Sequence, residues 1–163
     1  MKRISATAIR FACAALAATT LPGMALAQSA TVDHLTQSEM LAKGLALEPD
    51  AAQTGSASAK LNEYPHHYTM IALRKKDGGA EIHENFADFF FVVRGKATLL
   101  TGGTLADAKT VSPGEIRGTS VQGGARTSLE KGDVVHIPAH VAHQLLLPGG
   151  GTFIYFVVKV QEQ

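Results

Sequence analysis

The sequence predicts an all-β domain, an antiparallel sandwich or barrel, with a short helical extension at its N-terminus. Three observations predict it. Beyond Lys60 the chain breaks into eight short apolar runs, each bounded by Gly, Pro or Asp turn signals. One run, Phe89-Phe90-Phe91-Val92-Val93, is apolar on both strand faces and is expected between layers, away from a solvent-exposed edge. No helical periodicity longer than one N-terminal segment occurs, which disfavours bundles and doubly wound folds.

Taken in order, residues 1–27 carry Lys2, Arg3 and Arg10 without an acid, then an apolar run from Phe11 to Leu21 and the small series Ala25-Leu26-Ala27. This is the pattern of a secretory signal peptide cleaved after Ala27; the run is short of the roughly 20 residues of a permanent span. An anchoring amphipathic helix is the alternative. Residues 28–60 form a helical extension and linker. Thr36-x-x-Glu39 has capping-box spacing, and Leu35, Met40, Leu41, Leu45 and Leu47 follow at helical intervals, so a helix should end near Gly44 or before Pro49. Ala51 to Ala59 is small and polar, the composition of a linker.

The barrel domain is placed at 61–163. Strands are expected over Tyr68–Arg74, Ala80–His83, Asp88–Arg94, Lys96–Thr101, Thr127–Leu129, Asp133–Ile137, Gln144–Leu147 and Thr152–Val160. The segment Val111 to Gly124 is too glycine-rich for a helix and too long for a tight hairpin, and is expected as a lid or recognition loop.

Composition narrows the function classes. Of 163 residues, 45% are apolar, enough for one domain with a core. Removing residues 1–27 leaves 136 residues, with twelve basic against fourteen acidic side chains and no cysteine. No basic surplus exists to bind nucleic acid, and neither a disulfide nor a thiolate site can form. A periplasmic or secreted destination fits such a chain.

Six of the seven histidines lie beyond Lys60. Glu81 and His83, two apart on a strand, share a face. His66 and His67 point to opposite faces, so only one can turn inward. Read together, Glu81-x-His83-x4-Asp88-x6-Gly95 and Gly132-x5-Pro138-x4-His143 resemble the two motifs of the cupin family, over a region running from about Tyr64 to Val160. Glu81 stands where the family has its first histidine, Asp88 where it has glutamate, His140 where it has glycine and Leu147 where it has asparagine.

The resemblance implies a single-domain jelly-roll barrel holding one metal near its mouth, with Glu81, His83, Asp88 and His143 as ligands. Such a His and carboxylate set suits a divalent Mn, Fe, Ni or Zn ion. A spare carboxylate, Glu81 or Asp88, would be available as a general base in an enzyme of dioxygenase, isomerase or lyase type. Arg117, which could meet an anionic substrate or pair with Glu115, and His67 are the candidate substrate contacts. A non-catalytic periplasmic module binding a small molecule is the alternative, and a barrel that only dimerises, its site emptied, is a third. A homodimer is expected, with Phe153–Val160 or the N-terminal segment as the exchanged edge.

Overall fold

The computed structural model describes residues 32–162, so the signal peptide expected over 1–27 lies outside the described residues. The compact unit starts at His34. Helix α1 (Gln37–Leu45) begins at the expected capping box: Glu39 N donates to Thr36 Oγ1 at 3.2 Å and Thr36 N to Glu39 Oε2 at 2.7 Å. Helix α2 (Glu48–Thr54) carries Pro49 in its first turn, where a missing N–H costs no helical bond, and ends on Gly55 at φ 92°. No described helix is long and apolar enough to cross a membrane.

The expected linker over 51–59 is corrected by the structure: it is the end of α2 and the first part of strand β1 (Ser56–Tyr64). Its small residues have little strand propensity of their own. Position holds them extended. Ala57, Ala59 and Leu61 pack with Met40, Leu41 and Leu45 of α1 over Ile71, Leu73 and Ile154, while Ser56 and Ser58 line the cavity described below. The β structure therefore starts at Ser56, ahead of the boundary at residue 61.

Two antiparallel sheets face each other. The first contains β1, β2 (His67–Arg74), β13 (Phe153–Gln161), β4 (Phe86–Arg94) and β11 (Val134–Ile137), hydrogen-bonded in that order. The second contains β10 (Ala125–Glu130), β5 (Lys96–Thr101), β12 (His143–Leu146), β3 (Ala80–His83), β8 (Glu115–Gly118) and β7 (Lys109–Ser112). A two-stranded ribbon, β6 (Thr104–Ala106) with β9 (Ser120–Gln122), packs Leu105 and Val121 on Ala80, Leu100 and Ala142 of the second sheet. The eight expected strands are all present, with ends displaced by no more than two residues.

The core between the sheets is built by strand alternation: Phe90 and Val92 of β4, Phe153, Tyr155 and Val157 of β13, and Leu99 and Leu145 from the facing sheet. Glycine matters at the β4–β5 turn. Gly95 has φ 88°, and a Cβ there would collide with the Thr152 carbonyl oxygen.

Three expectations are corrected. Segment 111–124 is not a loop: β7 and β8 form a hairpin through Pro113-Gly114, and β9 follows. Its partner β3 stabilises it through a register that sets Glu81 against Arg117 and His83 against Glu115 on one face and Ile82 against Ile116 on the other. Strand β13 lies inside its sheet between β2 and β4, so it offers no free edge for exchange. Finally, Phe91 is 37% exposed despite lying in a doubly apolar run. The helices cover the outer face of the sheet over Val93 but leave Phe91 open.

Candidate metal centre

The cavity opens between the sheets with a volume of about 530 Å³. Strand parity decides which side chains enter it. Tyr68, Met70, Ala72 and Arg74 alternate inward on β2, and Tyr155, Val157 and Lys159 on β13. From the other sheet come Glu81, His83, Glu115 and Arg117.

His143 starts β12 directly opposite Glu81 on β3, and His83 follows Glu81 on the same face. One ligand atom from each of Glu81, His83 and His143 lies within 4.8 Å of the others. Glu81 Oε1 is 3.2 Å from His143 Nε2 and 3.9 Å from His83 Nε2.

Both imidazoles are oriented from behind. His83 Nδ1 lies 2.8 and 2.9 Å from the two Glu115 oxygens, and His143 Nδ1 lies 3.0 Å from the Val141 carbonyl oxygen. These oxygens only accept, so each Nδ1 carries a proton and each ring turns its Nε2 to the cavity. Both Nε2 atoms are buried without a hydrogen-bond partner. Burial pushes the His143 ring down to about 4, so it is neutral near pH 7. Two orphaned imidazole nitrogens beside a carboxylate oxygen fit a divalent ion. Glu115 stands in the position of the carboxylate that commonly backs a metal-ligating histidine.

Asp88 behaves differently. Its Oδ2 lies 3.4 Å from His83 Nε2 and 3.7 Å from His143 Nε2, while Oδ1 sits 2.6 Å from Lys159 Nζ. That contact is an ion pair without the alignment of a hydrogen bond. Lys159 and Asp88 are cross-strand partners on β13 and β4. Burial opposes the Asp88 charge, but the adjacent His83 ring and Lys159 ammonium outweigh it and hold the carboxyl below its usual value. Burial likewise pulls Lys159 down, against Asp88.

Arg117 Nη1 is ion-paired with Glu81 Oε2, and its Nη2 donates to Glu115 Oε2 at 3.0 Å. Burial and the nearby Arg74 charge lower its pKa. His67 is exposed, stacked on Tyr64 at 4.3 Å, and is not among the residues lining the cavity. Thus Glu81, His83, Asp88 and His143 come together, Arg117 joins them through Glu81, and His67 stays apart. Sequence reasoning missed Arg74 and Lys159 and treated Glu115 only as a surface partner. The available signal for Lys159 was a lone charge at the inward parity of an otherwise apolar strand, Phe153-x-Tyr155-x-Val157-x-Lys159.

No family model and no curated protein matches the chain. Solved structures do. The cupin domain of Cnp3 from Schizosaccharomyces pombe aligns at 10% identity over 66% of this chain and 65% of that one, with a TM-score of 0.50. A conserved protein with a double-stranded β-helix domain from Klebsiella pneumoniae aligns at 16% identity, over 65% and 72%, with a TM-score of 0.49. The DMSP lyase DddQ from Ruegeria pomeroyi aligns at 15% identity, over 66% and 48%, with a TM-score of 0.49. With identities this low the likeness concerns architecture alone, and the strand order, the two facing sheets and the match to the Cnp3 domain agree: this chain has the cupin fold.

Proposed function

We propose that the protein is a metal-binding cupin that acts on a small molecule at the barrel mouth. The observation that carries this reading is the pair of buried, unpartnered Nε2 atoms converging with Glu81 Oε1. Glu81, His83 and His143 would hold the ion, and a mixed nitrogen and oxygen set suits Mn, Fe, Ni or Zn. Bound there, a divalent ion supplies Lewis-acid polarisation of a ligand oxygen. The chain's own residues do the rest. Glu115 and Val141 fix the imidazole tautomers, the core rings Phe90 and Tyr155 keep water from the inner wall, and Asp88, kept ionised beside Lys159, accepts a proton at Oδ2.

Protein purified without a chelating tag should contain close to one equivalent of one of these metals, and His143→Ala should lose it with the circular dichroism spectrum unchanged. No metal after purification and none regained on dialysis overturns the reading. A second reading, a binding module without catalysis, is favoured by one observation: Glu81 and Asp88 already have cation partners in Arg117 and Lys159. A ligand recovered unchanged after long incubation with metal-loaded protein, with and without oxygen, selects it.

Export to the periplasm or medium belongs to the same proposal and rests on the pattern of residues 1–27. Edman sequencing of protein from the native host should begin at Gln28; a retained Met1 overturns it. A homodimer is proposed along the β11 edge, where exposed Val134 pairs with exposed Phe91. A monomer by light scattering refutes that pairing.

A further inference from the structure

Three cations line the cavity, and two of them are spoken for: Arg117 by Glu81 and Glu115, Lys159 by Asp88. Those are also the cavity's three acids. Arg74 is left over. Among the described residues it has no carboxylate partner, and its one hydrogen bond runs from Nε to Tyr155 Oη at 3.0 Å.

The Arg74 side chain is held in place. Tyr155 is buried and packed between the rings of Phe90 and Phe153, at centroid distances of 4.9 and 5.2 Å. With Nε fixed on this phenol, the Nη1 and Nη2 edge of the guanidinium keeps its donors in hand. Tyr155 accepts from Nε, so its own O–H also remains to be donated. Room for the guanidinium comes from Gly78, where a Cβ would meet Arg74 Nη1 at 2.7 Å; Gly78 has no positive φ, so space and not backbone conformation calls for glycine there.

We propose that Arg74 and Tyr155 form an anion subsite that recognises the carboxylate of the small molecule bound in this cavity. Two in-plane guanidinium donors and one hydroxyl match the two oxygens of a planar carboxylate, and a bidentate pair in a partly buried site is both directional and strong. A metal at Glu81, His83 and His143 would add further positive charge to the same cavity, which an anionic ligand offsets. The proposal rests on the reading of this cavity as the ligand site, but Arg74 is not in the metal set, so the two can be tested apart.

The test uses the full chain in two forms, loaded with Zn and stripped with chelator, titrated by calorimetry with benzoate, benzamide and inorganic phosphate. Benzoate should bind at least tenfold more tightly than benzamide in both forms, and more tightly than phosphate. Arg74→Met should erase the preference for benzoate over benzamide while the Zn content stays that of the wild type. Tyr155→Phe, which keeps the ring, should weaken benzoate severalfold and provides the test if Arg74→Met fails to fold. Equal binding of acid and amide, no benzoate binding at millimolar concentration, a preference for phosphate, or unchanged benzoate affinity in the folded variants overturns the proposal. Benzoate selectivity in a protein that takes up no metal leaves the anion subsite standing and sinks the metal reading; stoichiometric metal without selectivity does the reverse.

Discussion

Lys159→Met removes a charge while keeping an unbranched side chain of similar length, and its consequence can be worked from the structure. Lys159 is 8% exposed and Asp88 2%, with Nζ 2.6 Å from Oδ1. Removing one partner of a buried pair strands the other, at a cost of about 3–5 kcal/mol, whereas an exposed pair is worth only about 0.2–1 kcal/mol. With a urea m-value of about 2 kcal/mol/M, the unfolding midpoint of chelator-treated protein should fall by roughly 2 M. Acidity gives a second check. The folded Asp88 carboxyl lies below its usual value, so its contribution is present above the unfolded Asp value of about 4 and is lost as pH falls through the folded value. The variant, whose carboxyl must titrate higher, should therefore approach the wild type in stability as the pH drops below about 4. Lys159→Met/Asp88→Leu, which removes both partners, should recover most of the loss, because no buried charge is left unpaired. A midpoint shift below about 0.5 M, or a double variant no more stable than the single one, refutes the argument that this pair is a closed, desolvated unit.

Other outcomes follow from single contacts. Glu115→Gln removes the carboxylate behind His83 Nδ1 and should weaken metal affinity about 10–100-fold by competition with a calibrated chelator, with little change in the far-ultraviolet spectrum. His143 titrates at about 4 in the fold against 6.5 when unfolded. The unfolded chain takes up that proton first, so metal-free protein should lose about 3 kcal/mol as pH falls from about 6.5 to about 4, read by denaturant titrations across that window. His140 has φ 64° and an exposed side chain. His140→Gly should raise stability by about 0.5–1 kcal/mol, the relief of about 1–2 kcal/mol of left-handed strain less the added chain entropy, seen as a higher melting temperature.

The last of these was legible before any coordinates, because His140 occupies a position that the resembled motif gives to glycine. The same holds for the centre's skeleton. Spacing within a strand and across a short turn is a local quantity, so Glu81 and His83 could be placed on one face from period-two alternation, while the Gly132 to His143 segment joined them through its resemblance to the second cupin motif. What stayed hidden depends on pairings between distant segments. Asp88 and Lys159 meet because β4 and β13 are register partners, and nothing near either residue announces the other. Without that pairing Asp88 reads only as a fourth ligand; with it, one oxygen is held by an ammonium, which supports the fixed base proposed above. Arg117 is settled in the same way: alone it could meet an anionic substrate or pair with Glu115, and the β3–β8 register sets it against Glu81 as well as within reach of Glu115. Its role as the anion receptor then passes to Arg74, a residue that no motif marks and whose only distinction is that every acid in the cavity already has a partner. The specificity of this barrel is thus decided by which charges its registers cancel and which one they leave over.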